Sequence, residues 1–85
     1  MPGIADCYAN LGTLNRDMGR YDEALKFYHS CLEIDTKNGD SLYMAVGFND
    51  IAGAYLKMDD YDSSLHYFNR AYTILKKINS LGNLV

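Results

Sequence analysis

The chain repeats itself once, and that single fact limits what it can fold into more than any other. Sliding the sequence along itself by 40 residues superimposes Ala5 on Ala45, Met18 on Met58, Tyr21 on Tyr61, Asp22 on Asp62, Leu25 on Leu65 and Ile34 on Ile74. Similar types fill the intervals: Tyr8 with Phe48, Leu11 with Ile51, Gly12 with Ala52, Ala24 with Ser64, Phe27 with Tyr67, Tyr28 with Phe68 and Cys31 with Ala71. A period of this size is the signature of a stacked-repeat architecture, in which one supersecondary unit buries its apolar face against the next.

Within each copy the apolar residues recur at helical spacing and nowhere alternate as a strand requires. Ile4, Tyr8, Leu11 and Met18 stripe a first helix, and Ala24, Leu25, Tyr28, Cys31 and Leu32 a second. Met44, Phe48, Ile51, Tyr55 and Met58 stripe a third, and Leu65, Phe68, Tyr72 and Leu75 a fourth. The spacing predicts helices over 4–17, 22–37, 41–57 and 62–79, each stripe packing within its own pair. Gly19 and Gly39 are placed to stop helices in the left-handed conformation, and Asp40 or Ser41 to cap the third helix. Asp22, Glu23, Asp59, Asp60 and Asp62 put negative charge at helix starts, where the dipole favours it. The short turns make sequential helices antiparallel. Gly12 and Ala52 share one repeat position, where a small side chain lets two helices cross closely.

Composition excludes several classes of function. The net charge is −3, with 8 basic and 11 acidic residues, and the only basic run is Lys76–Lys77, so no face suits nucleic acid. The excess acid lies in residues 1–42, while residues 43–85 are balanced. No apolar run reaches the roughly 20 residues that span a bilayer, and Met1 to Asp6 lack the pattern of a signal peptide. Cys7 and Cys31 are too few and too far apart for a disulfide framework or zinc cluster, and both are expected as buried thiols. These features place the chain in the cytoplasm. His29 and Cys31, two residues apart, point different ways on a helix, and His66 stands alone, so no nucleophile and base pair can be assembled. Asp59, Asp60 and Asp62 lack the Gly and the terminal Glu of a calcium loop. The sequence implies no enzyme, metal or cofactor.

The two copies resemble the tetratricopeptide repeat, an aromatic-x-x-Leu-Gly-x-x-Tyr run followed by Ala-x-x-x-Phe and a late Pro. Tyr8, Leu11, Gly12, Gly19, Tyr21, Ala24, Tyr28 and Cys31 stand at its positions in the first copy. Phe48, Ile51, Ala52, Tyr55, Tyr61, Ser64, Phe68 and Ala71 do so in the second. Asn15 replaces the aromatic that Tyr55 supplies, and Thr36 and Lys76 stand where the Pro would be. Without Pro the second helix of each pair can run a turn further, and the longer period looks like the extended subclass found in kinesin light chains and spindle-orientation adaptors. The resemblance implies an all-α fold, with antiparallel helix-turn-helix repeats stacked as a short right-handed α-solenoid of four helices. Repeat one covers about 5–38, an extended connection 39–44 and repeat two about 45–78, with a third possibly starting at 80–85.

The resemblance also implies a protein-interaction scaffold whose concave groove, lined by the first helix of each pair, takes a partner peptide or helix. Carried over by repeat position, the groove residues are Asp6, Ala9, Asn10, Thr13, Arg16 and Asp17 in the first copy, and Val46, Asn49, Asp50, Gly53, Leu56 and Lys57 in the second. None belongs to the apolar stripes. Asn10 and Asn49 suit hydrogen bonds to a peptide backbone, and small Ala9, Thr13 and Gly53 leave room for ligand side chains. The plainer alternative is that these are solvated polar residues. The mildly acidic first copy favours a partner with basic character. The competing reading of the whole chain is structural: the uncapped repeat ends, where Tyr67, Ile74 and Ile78 are expected to face water, pair with further repeats or with another copy.

Some family members grip the carboxylate tails of heat-shock chaperones with Lys and Asn residues from these helices. Here Ala9 and Thr13 take the first copy's Lys and Asn places, and Asp50 repels a carboxylate from the second copy's Asn place. Titration with an acidic C-terminal peptide is therefore expected to show no saturable binding, and low-micromolar affinity would refute the assignment.

Overall fold

The computed structural model describes the backbone of residues 2–82 and the side-chain surroundings of residues 7–79. Four helices follow in order: α1 (Pro2–Asp17), α2 (Tyr21–Lys37), α3 (Ser41–Lys57) and α4 (Tyr61–Gly82). The predicted ends hold within three residues. Pro2 opens α1 because proline already has helical φ and lacks a hydrogen that the first turn cannot use. Residues 80–82 continue α4, and residues 83–85 of the segment suggested as a third repeat lie outside the described residues.

The turns work as the residue types require. Gly19 and Gly39 adopt φ of 79° and 69°, and the amide of the following residue bonds back across each helix end, Arg20 N to Asn15 O at 2.8 Å and Asp40 N to Asp35 O at 3.0 Å. Asp59, the second copy's counterpart of Gly19, takes the same conformation at φ 61°. Asp40 Oδ1 accepts from Tyr43 N at 3.2 Å and Asp60 Oδ1 from Ser63 N at 3.2 Å, so α3 and α4 each begin on a carboxylate cap.

Each helix packs on its chain neighbours, α1 on α2, α2 on α3 and α3 on α4, while α1 and α3 meet only slightly. The molecule is a slab of 43 × 31 × 17 Å, a thickness that accommodates two layers of helices about 8–10 Å apart. Two clusters form its core. Ala24, Tyr28, Ile51 and Ala54 are buried together, with Leu25, Leu32, Tyr55 and Tyr67 against them. Ala45, Phe48 and Ala71 form the second, joined by Leu32, Tyr67, Ile74 and Leu75. Leu32 and Tyr67 belong to both, so α2 is tied to the second pair as well as to α1. Ser64 Oγ adds a buried bond to Ala52 O at 2.9 Å across α3 and α4.

Several expected core positions lie elsewhere. Leu11, Met18, Met58, Leu65, Phe68 and Tyr72 are exposed. Periodicity finds a helix's apolar face but not the neighbour that covers it: Leu11, Leu65, Phe68 and Tyr72 belong to faces between pairs, while Met18 and Met58 lie just past the ends of α1 and α3. The counterparts of Leu65, Phe68 and Tyr72 are Leu25, Tyr28 and Leu32 on α2, which pack against α3. Cys7 is exposed on α1, against the expectation of a buried thiol, while Cys31 is buried and donates to Asp35 Oδ2 at 3.5 Å. Tyr67, Ile74 and Ile78 are half-buried instead of facing water, and Tyr67 and Ile74 pack against the cluster that holds Ala45 and Phe48 of α3. Tyr67 stacks on Tyr55 at 5.6 Å and on Phe48 at 6.1 Å between ring centroids.

Gly12 shows why its position must be small. A Cβ there would stand 2.7 Å from Cε1 of Tyr28, whose side chain is 1% exposed and has no room to withdraw. Gly12→Leu is expected to cost about 1–3 kcal/mol by overpacking, read as a lower urea midpoint at unchanged m-value. An unchanged midpoint would show that the ring has another place to go.

Candidate functional site

α1 and α3 both pack within the fold beside α2 and touch each other only slightly, and the candidate groove of the repeat pattern runs between them. Its floor is set by Tyr28. The residue is buried, hydroxyl included, and the hydroxyl reaches α1, where it lies 3.0 Å from Thr13 Oγ1. Burial raises the Tyr28 pKa, against lowering by the Thr13 hydrogen bond and the Arg16 charge, so the phenol stays neutral and serves as a fixed donor or acceptor.

Arg16 crosses from α1 toward α3. A Cβ on Gly53 would lie 3.7 Å from its Nη1, an ordinary van der Waals contact, so the guanidinium passes close to this position without requiring a glycine there. Arg16 Nε is buried without a hydrogen-bond acceptor among the described residues; the carboxylate of Asp17 stands at 3.6 Å, an ion-pair contact only. The Arg16 side chain keeps 26% of its surface exposed. Asp50, half-buried on α3, feels that charge too. Burial raises its carboxyl pKa above the ordinary value and Arg16 only partly offsets this.

The structure thus brings Thr13, Arg16, Asp50 and Gly53 close to the hydroxyl of Tyr28, a residue whose spacing marks only a core position. No local pattern marks that hydroxyl, because its role depends on where α2 crosses beneath α1. Ala9 is half-buried on the same face. Asn10, Asp17, Val46, Asn49, Leu56 and Lys57 are exposed. The side chain of Asp6 lies outside the described residues. Among those residues no cluster of ligating side chains fits a metal ion, and no helix is long and apolar enough to cross a membrane.

The model of the tetratricopeptide repeat matches residues 3–77, nearly the whole chain and both helix pairs. The chain belongs to the tetratricopeptide repeat family. No curated protein and no solved structure matches it. Tetratricopeptide repeats generally mediate protein–protein interaction and are typically scaffolds without catalytic activity. The helix pairing and the turn chemistry described above are those of two such repeats.

The raised pKa of Asp50 has a signed consequence. A carboxyl whose folded pKa exceeds its unfolded value opposes folding once ionised, so its stability penalty is absent well below the unfolded value of 3.8 and grows as pH rises through the folded value. Thermal midpoints of wild type and Asp50→Asn are expected to converge on the acid side of that window and to separate toward neutrality, with the variant higher. A constant gap at all pH values would mean that Asp50 ionises like a surface carboxylate.

Proposed function

We propose that this tetratricopeptide repeat protein binds an extended or helical segment of another protein in the groove between α1 and α3, without catalysing a reaction. The observation that carries the reading is the half-buried, underbonded Arg16 beside Asp50 and the Tyr28 hydroxyl. A guanidinium and a carboxyl in one partly desolvated floor offer a donor and an acceptor to a peptide main chain, which carries both. Asn10 and Asn49, exposed on α1 and α3, extend the same paired donor and acceptor chemistry upward. Val46 and Leu56, each 46% exposed, supply apolar contact along α3.

Charge refines the partner. Asp17 and Asp50 line the groove with Arg16 and Lys57, and the acidic excess in the first half of the chain favours a segment with some basic character. The cytoplasm suits a chain in which Cys7 and Cys31 form no disulfide. A structural role among repeats uses a different face, that of α4 and the outer side of α1, and leaves the groove open.

The reading is tested with a peptide array of lysine-containing and lysine-free segments, followed by calorimetry of any binder. Asn10→Ala with Asn49→Ala is expected to weaken binding by about tenfold or more, the equivalent of about 1.4 kcal/mol, at unchanged helical content. Equal affinity in wild type and variant would place the contact outside the groove.

A further inference from the structure

Beyond its first turn, α4 carries positive charge and no negative charge. From Ser63 to Gly82 it holds Arg70, Lys76 and Lys77 but neither Asp nor Glu, and the start of α3, from Ser41 to Asn49, has no charged residue at all. Between these two stretches lies an open pocket of about 250 Å³, lined by Met44, Phe48, Arg70, Thr73 and Ile74. Phe48 belongs to the second core cluster and Ile74 packs against it, so the apolar wall is held by the core. The guanidinium carbon of Arg70 stands over the Phe48 ring, 5.0 Å from its centroid. That contact restrains the cation through the π face and uses none of its hydrogen bonds, and no acid among the described residues pairs with it. Thr73 donates to Asn69 O at 2.9 Å, which leaves Arg70 as the available donor at the rim. Lys77 is exposed one turn beyond Thr73 on the same face.

We infer that this pocket is a second interaction site, taking a segment of another protein that places a large apolar side chain beside a carboxylate. The apolar side chain displaces water from Met44, Phe48 and Ile74, and the carboxylate meets the fork of Arg70 with Lys77 behind it. Size selects the class of occupant. The pocket is smaller than the roughly 300–1,000 Å³ of clefts that enclose small molecules, and it is open to solvent, so it fits one or two side chains of a larger partner. Charge selects the sign. Asp40, the nearest acid before Met44 in the chain, is engaged in capping Tyr43 N. The site is peculiar to the second copy: one period back, Ser30 and Glu33 replace Arg70 and Thr73, and Glu33 pairs with Lys37 at 3.7 Å. It does not depend on what adjoins α4, because at about 100° per residue Arg70 and Lys77 project from the side opposite Leu65, Phe68 and Tyr72. None of the lining residues belongs to the groove, so the two sites stand or fall separately.

The test uses short blocked peptides in which leucine or phenylalanine stands beside glutamate, with glutamine and lysine versions as controls, titrated to millimolar concentration while amide NMR shifts are followed. The glutamate peptides are expected to move the signals of Met44, Phe48, Arg70 and Thr73, and the glutamine versions to bind about tenfold more weakly. Arg70→Met, which keeps an unbranched apolar stem over Phe48, is expected to abolish the preference for glutamate. Asn10→Ala with Asn49→Ala is expected to leave it unchanged, which separates this site from the groove. Equal affinity for glutamate and glutamine peptides would overturn the proposal, as would shifts confined to α1 or the absence of any shift at the pocket. Phosphatidylglycerol vesicles that bind the wild type but not Arg70→Met, with no response to the peptides, would also overturn it and assign the pocket to an anionic membrane surface.

Discussion

Tyr28 is the side chain on which the other elements depend. Its ring is buried beside Ile51 and Ala54 of α3, it fills the space that Gly12 leaves on α1, and its hydroxyl meets Thr13 at the groove. One residue of α2 therefore sets the separation of α1 from α2, the seating of α3 on α2 and the level of the groove floor. A smaller side chain would leave a cavity at the meeting of three helices, where the main chain has little freedom to close it. Phenylalanine would keep the packing but leave Thr13 without this partner at a half-buried position.

Core and groove are consequently not separable layers. The burial that fixes Tyr28 also keeps its phenol neutral, and the same partial desolvation opposes ionisation of Asp50 across the groove. Arg16 is the offsetting charge, acting on both groups. A glycine within a helix costs about 1 kcal/mol relative to alanine. Here an added methyl would meet only Arg16 Nη1, at an ordinary 3.7 Å, so packing among the described residues does not demand the glycine.

Much of the fold was legible in the sequence. The 40-residue register, the four helices and the stops at Gly19 and Gly39 follow from local chemistry that acts within one turn of its own residues. What the stripes do not encode is which neighbour covers them. Leu25 and Leu65 are the same residue in equivalent places, yet the first packs against the Ile51 cluster and the second is exposed. The difference is that α3 packs on the first, and no described helix packs on the second. Cys7 illustrates the same point on α1, since its counterpart Gly47 is buried against Leu32. The groove positions of α1 and α3 came from the family pattern, whereas the pairing of Tyr28 with Thr13 required the helix crossing itself.

The joint between α2 and α3 carries the connection between the two pairs. Leu32 lies over Gly47, where a Cβ would stand 3.3 Å from Leu32 Cδ1, and the core places Tyr28 with Ile51 and Ala54, so the helices approach closely. Dispersion contacts weaken steeply with any gap, so a side chain added at Gly47 would loosen the joint. The short turn between α2 and α3 tethers them, and their pairing avoids the loss of translational and rotational freedom that separate molecules incur on association.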